Sequence, residues 1–371
     1  MQPPTDEEQR AFSHHFFDKE GEYRAFLKLY DSLSSNDFII RLDQIGQTKP
    51  LSHFHVLDIA LHLTRNIQST LAQALTDLKS ETDLKFVADH EIKHAVNLAV
   101  HCLLMVDSEA RNRHATGYIL GGTQPTLWIE NTTFLNFVEN TFPKEGKGAV
   151  AFHLSLEKQA VLKARKLKKR LGLRLVASDN LADHLLRDGN DLYVFHHVSF
   201  LKGQLEAFRG ERSPLDTYEF AGSLSRGKLP PQLLVETLHS IQDVLFPSTD
   251  HRSADILEDL VRKEGFDEEC TKYEGYCIFQ EVPDTFQYQY WEKRMSALHE
   301  EVMKATTNRP TTKMESWFER QCSERNALIV ALLALLITIL NGFISIGLTT
   351  FQSWVAYMAW KHPRDPSLSP G

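Results

Sequence analysis

Between Asn326 and Trp360 the chain has no Asp, Glu, Lys, Arg or His: "NALIVALLALLITILNGFISIGLTTFQSWVAYMAW". A bilayer core is crossed by about 20 apolar helical residues, so this run is long enough and more. A buried core helix is the other reading, but core helices are rarely uncharged for so long. Other absences narrow the function classes. There are four cysteines, Cys102, Cys270, Cys277 and Cys322, and none forms a C-x-x-C pair. That removes zinc-ribbon and thioredoxin-type redox motifs. Cys270 and Cys277 can pair in an oxidising compartment, though nothing demands it. The start, "MQPPTDEEQR", has neither a basic n-region nor an apolar stretch, so no secretory signal is read there. No P-loop, GxGxxG, GxSxG elbow or kinase signature occurs. There is no internal repeat and no low-complexity tract. A net charge of −8 argues against nucleic acid as a partner, since basic surface supplies that affinity.

What is present reads as a globular chain with a real core: 371 residues, 42% apolar and 24% charged. The expected fold is mainly α. It is a multi-helix domain with a small β element around 173–200 and 275–282, plus one C-terminal transmembrane helix. The expected organisation is a soluble, mostly helical domain over 1–305 and a juxtamembrane linker over 306–325. A membrane segment follows over 326–360, then a short polar tail over 361–371. "EYRAFLKLYDSL" and "VLDIALHLTRNIQSTLAQALTDL" carry apolar residues at helical spacing. "LSLEKQAVLKARKLKKRLG" is a basic amphipathic helix with Gly172 as its stop. Its basic face is either solvated and docked on the core or laid on anionic lipid. "LRLVAS" and "DLYVFHHVSFL" are rich in β-branched and aromatic residues, with "RDGND" as turn material between them, and "GYCIFQEV" offers a third strand. "PPQLLVETLHSIQDVLF", "SADILEDLVRKEG" and "TFQYQYWEKRMSALHEEVMKA" read as helices.

Within the membrane segment the expected span is about 327–349. Trp354, Tyr357 and Trp360 follow it, and such rings suit the headgroup interface. Two spans would need a turn at Asn341-Gly342, leaving halves short for crossing. Arg309, Lys313, Arg320 and Arg325 precede the run, against Lys361 and Arg364 after it. That asymmetry favours a cytosolic N-terminal domain in a tail-anchored, single-pass arrangement. Glycosylation of the sequon Asn131-Thr132-Thr133 would reverse this topology. Cys322 is a weak palmitoylation position. Asn341, Ser345 and Thr349 recur every four residues on one face, a spacing compatible with self-association in lipid. The partners read here are therefore the bilayer and a protein or second copy.

Two stretches invite chemistry. "HEIKH" puts His90 and His94 one helical turn apart, able to share a zinc ion, with Glu91 as the group that activates water. A metzincin-type third histidine stands six residues after His94, whereas His101 is seven away and Lys93 puts a charge inside the motif. With 17 histidines in the chain, the alternative is a packed helix that carries the pattern by coincidence. A zinc-dependent hydrolase on Glu91, His90 and His94 is thus the minority reading; the main reading needs no cofactor. The second stretch holds Asp179, Asp183, His184, Asp188, Asp191, His196 and His197. It is either a metal or acid/base site or a turn followed by a strand with one histidine on each face.

Three strings, "DNLADHLL…DLYVFHHVSFLKGQL", "LPPQLLVETLHSIQDVLFP" and "WFER…FQSWVAYMAWKHP", resemble a group of uncharacterised fungal proteins with a C-terminal membrane segment. The resemblance covers roughly residues 80–362 and implies membrane attachment but no activity. The terminal anchor is also similar to that of fungal relatives of the CorA magnesium channel. Their Gly-Met-Asn signature is missing, and "LNGF" at 340–343 does not replace it. An oligomeric channel subunit is the second alternative. The leading expectation is a membrane-anchored interaction or scaffold protein.

Overall fold

The computed structural model describes residues 3–17, 23–35, 51–81, 83–109, 125–144, 156–211, 213–273, 287–308 and 325–361. The chain divides into two units, Met1–Asn308 and Arg309–Gly371. In the first, helices and a small sheet share one apolar core that runs from Phe12 to Val302. The predicted mainly α fold with a small β element and a C-terminal apolar helix is what the structure has.

α1 (Asp6–Phe17) starts on Asp6, Glu7 and Glu8 and buries Phe12, Phe16 and Phe17; acids at a helix start oppose its positive end. α2 (Arg24–Ser35) adds Phe26 and Tyr30 to the same core. α3 (His53–Arg65) and α4 (Leu71–Glu81) occupy the stretch that periodicity reads as one helix. The break has a local cause. Asn66 caps α3 by donating its N–H to the His62 carbonyl. Thr70 and Gln73 then exchange side-chain and backbone hydrogen bonds of 2.9 and 3.3 Å, which start α4. α5 (Asp89–Leu104) packs on α3 and ends with Met105 in the left-handed region at φ 53°. α6 (Phe134–Thr141) is capped by the Thr133 hydroxyl.

The basic amphipathic segment is two short helices, α7 (Leu156–Leu162) and α8 (Ala164–Leu171), broken at Lys163, whose ψ is 138°. Gly172 stops α8 at φ 68°, as expected. Its basic residues largely serve the fold. Lys163 and Arg165 converge on Asp250 at 3.4 and 2.7 Å, and Arg170 donates to Thr306 at 2.8 Å.

β1 (Arg174–Ser178), β2 (Arg187–Asp188) and β3 (Asp191–Phe195) form a sheet of order β1-β3-β2. β1 and β3 are parallel, with Ser178 opposite Phe195. The "RDGND" turn closes the antiparallel β2–β3 pair, with Gly189 at φ 56°. The expected strand at 275–282 lies outside the described residues. α9 (Val198–Glu206) follows β3 after two residues, so the expected strand "DLYVFHHVSFL" stops at Phe195. α10 (Phe220–Leu224) and α11 (Pro231–His239) come next, and α11 runs on into a π-helical turn, Ser240–Leu245. α12 (His251–Glu264) stops at Gly265 with φ 75°, and α13 is Glu292–Asn308.

The second unit contains one described helix, α14 (Arg325–Lys361), of 37 residues. At 1.5 Å per residue that is about 55 Å, longer than a hydrocarbon core of about 30 Å. It stays helical through Asn341-Gly342, where a two-span arrangement would need its turn.

Candidate functional site

The parallel pairing of β1 and β3 sets the carboxyl ends of both strands side by side, where open α/β sheets often place functional groups. Directly after Ser178 comes Asp179, and directly after Phe195 come His196 and His197. Asp179 Oδ1 lies 3.0 Å from His196 Nε2 and 2.7 Å from His197 Nε2. Both rings are buried, while the Asp179 side chain is 53% exposed. The three ligand-type atoms lie within 4.8 Å of one another.

The proton positions follow from the partners. The Asp267 N–H donates to His196 Nδ1 at 3.1 Å, so His196 carries its proton on Nε2 and donates it to Asp179. His197 likewise donates Nε2–H to the carboxylate, and its Nδ1 is buried with no hydrogen-bond partner among the described residues. Burial raises the Asp179 carboxyl, but the hydrogen bonds from both histidines outweigh it and hold the group below the usual carboxylate range. Burial, then the neighbouring His196, lowers His197 to about 4. His101 completes the surroundings through the Asp179 backbone. The Cys270 thiol donates to the His196 carbonyl at 3.2 Å. Asp267 accepts the Ser199 N–H at 2.7 Å, near the start of α9.

These positions test the fit to a metal. An ion on both Nε2 atoms requires each ring proton to move to Nδ1 and find an acceptor there. At His196 that proton would point at the Asp267 N–H, and at His197 it would meet no acceptor among the described residues. The spacing suits an ion, but the outer nitrogens do not. As arranged, the cluster is a carboxylate held by two neutral imidazoles, joining two strand ends to the start of α9.

His184 also has an assigned role. The Phe195 N–H donates to its Nδ1 at 3.2 Å, so Nε2–H donates to Ser240 Oγ at 2.6 Å. Ser240 passes its own proton to the Thr237 carbonyl at 2.6 Å. A general base needs a bare nitrogen facing the hydroxyl, and here the polarity is reversed. Of the other acids in that stretch, Asp191 is bound by Arg174 through two bonds of 2.8 and 2.7 Å.

The HEIKH residues lie on the first turns of α5. His90 is exposed, and Glu91 and His94 are half-buried. Lys79 pairs with Asp89 beside them, and Asp89 and Glu91 are the acids of the first turn, a place where carboxylates oppose the helix dipole. Among the described residues, the one group of three or more His, Cys, Asp or Glu side chains spaced for an ion is Asp179, His196 and His197. His101, the histidine nearest the metzincin position, is directed to Asp179 instead.

Glu236 belongs to no sequence motif. It is fully buried in α11 and takes four donors: Gln232 Nε2 at 2.7 Å and the backbone N–H groups of Gln289, Tyr290 and Trp291 at 2.6, 2.9 and 3.1 Å. It thereby fixes the segment that enters α13. Burial pushes its carboxyl up to about 7 against those donors. Its sequence signal is one acid inside the otherwise uncharged run "PQLLVETL".

Cys322 lies outside the described residues. Trp354, Tyr357 and Trp360 are exposed on α14, at 55%, 55% and 79%. Leu335–Met358 is, among the described residues, the helical stretch long and apolar enough to cross a membrane. No family model, no curated protein and no solved structure matches the chain.

Proposed function

We propose that this chain is a single-pass membrane protein, anchored by α14, whose helical unit works through contacts with proteins or lipid and not by catalysis. The observation that carries it is Leu335–Met358: 24 residues of continuous helix, uncharged, with every side chain exposed. In water such a surface is costly, at about 25 cal/mol for each Å² of apolar area, and a bilayer removes that cost. Trp354, Tyr357 and Trp360 supply interfacial rings towards one end. The non-catalytic half of the reading is supported by His184 and His196, whose two ring nitrogens are each engaged in hydrogen bonds within the fold. The basic residues before α14 favour a cytosolic helical unit.

Alkaline extraction of membranes containing the full chain tests the anchor, and glycosylation tests its direction. Asn131 is exposed in a turn before α6, so its sequon is open to the transferase. The chain is expected to resist extraction, with Asn131 unmodified and an acceptor sequon fused after the last residue modified. Release at alkaline pH contradicts the anchor, and glycan on Asn131 reverses its direction.

A further inference from the structure

The face of α14 is not uniform. At 3.6 residues per turn, Thr338, Asn341, Ser345, Thr349, Gln352 and Ala356 fall within about 80° of arc. None of the Leu, Ile, Val, Phe, Trp, Tyr or Met residues of Leu335–Met358 falls within that arc. The stripe therefore runs the length of the apolar stretch. Thr349 returns its hydroxyl to the Ser345 carbonyl at 2.8 Å. The amides of Asn341 and Gln352 are exposed and have no hydrogen-bond partner among the described residues. For Asn341, thirteen residues before Trp354, no water in hydrocarbon replaces that partner, so its bare amide is costly there.

We propose that this stripe packs against the same stripe of a second copy of the chain, a proposal that rests on the membrane reading above. The chemistry selects a second copy. Each primary amide offers both donors and an acceptor, so Asn341 and Gln352 complement themselves across a two-fold axis. The run from Asn326 to Trp360 is uncharged, so nothing in it favours an acidic or basic partner helix. Copies inserted in one direction are parallel, which sets Asn341 against Asn341 and Gln352 against Gln352. Those two levels are eleven residues apart, about 16 Å along the axis, enough to fix the register. Ser345 and Ala356 between and beyond them are small, which lets two backbones approach.

Disulfide trapping tests this in the full chain, reconstituted alone in phosphatidylcholine liposomes. Cys277→Ser and Cys322→Ser provide the background, because Cys102 and Cys270 are buried. Ser345→Cys lies on the stripe, and Phe343→Cys points to the opposite side. Oxidation is expected to give dimer about tenfold faster from Ser345→Cys, as for a facing against an averted position. Adding Asn341→Leu and Gln352→Leu is expected to lower trapping by about tenfold, the worth of one to two interhelical polar contacts. Equal trapping at both positions, no trapping, or no loss in the double-leucine chain overturns the proposal while the chain stays in the liposome fraction. A chain that leaves the liposomes at alkaline pH instead fails the membrane reading, and the proposal falls with it.

Discussion

From Leu335 to Met358 every side chain of α14 is exposed and none is charged. In Met1–Asn308, by contrast, charged and polar groups lie inside: Glu236 at 0%, His184 at 0% and Lys228 at 2% exposure. Each is held by named partners, Lys228 by the Phe16 carbonyl at 2.6 Å. On the proposed membrane reading, the two regions solve opposite solvation problems. A helix in lipid satisfies its backbone internally and excludes charge. A folded unit in water buries charge only where donors and acceptors are already placed. Composition therefore specifies the first region, and geometry the second.

The sharpest way to break this contrast is to remove one set of placed partners. Glu236→Gln keeps the shape but turns an NH₂ towards the donors that now meet a carboxylate oxygen. It is expected to destabilise the helical unit by about 3 kcal/mol at neutral pH, as for a broken buried network. Urea unfolding measures this, and membrane retention should not change. An unchanged midpoint would mean that the four bonds are incidental.

A smaller effect is expected from packing. A Cβ at Gly203 of α9 would meet Phe17 Cδ1 at 2.6 Å and Tyr23 Cε1 at 2.8 Å. Those rings stack at 3.8 Å between centroids, so neither has room to retreat. Gly203→Ala is expected to cost about 2 kcal/mol, the usual penalty for overpacking. Gly342 in α14 has nothing within 4 Å of the same atom, and Gly342→Ala should leave the helical unit's stability alone. Equal effects at the two glycines would erase the distinction.

A comparable effect takes the form of a slope with pH. His239 Nδ1 lies 2.6 Å from the Tyr288 hydroxyl, and burial lowers its imidazole to about 4. An unfolded histidine titrates near 6.5, so between those values the unfolded state binds more protons. The stabilisation is therefore full above pH 6.5 and is lost as pH falls through 4. His239→Gln should remove a component that changes by about 2 kcal/mol between pH 7 and pH 5. Stability against pH, compared with the parent chain, reads it directly; an unaltered slope contradicts the buried neutral state.

How legible each part was follows the same division. The helices were readable because apolar spacing is a local property, as with Gly172 and Gly265 stopping α8 and α12. The break at Asn66–Thr70 was not, because short polar side chains there overrode a continuous apolar stripe. "HEIKH" has the spacing of a known motif, yet it sits at a helix start, and His101 goes to Asp179. Asp179, His196 and His197 were visible only as part of a longer acidic and histidine-rich stretch. What singles them out is the Ser178–Phe195 register, which no residue type announces.

Membrane attachment and the folded core are proposed to be separable. A chain ending at Asn308, where the first unit ends, tests it most directly beside the full chain, by fractionation and by unfolding of the released product. The full chain is expected to stay with membranes after alkaline extraction. The shorter chain should be soluble and unfold in one cooperative transition. A shorter chain that remains in the membrane fraction, or a full chain that does not, would contradict it.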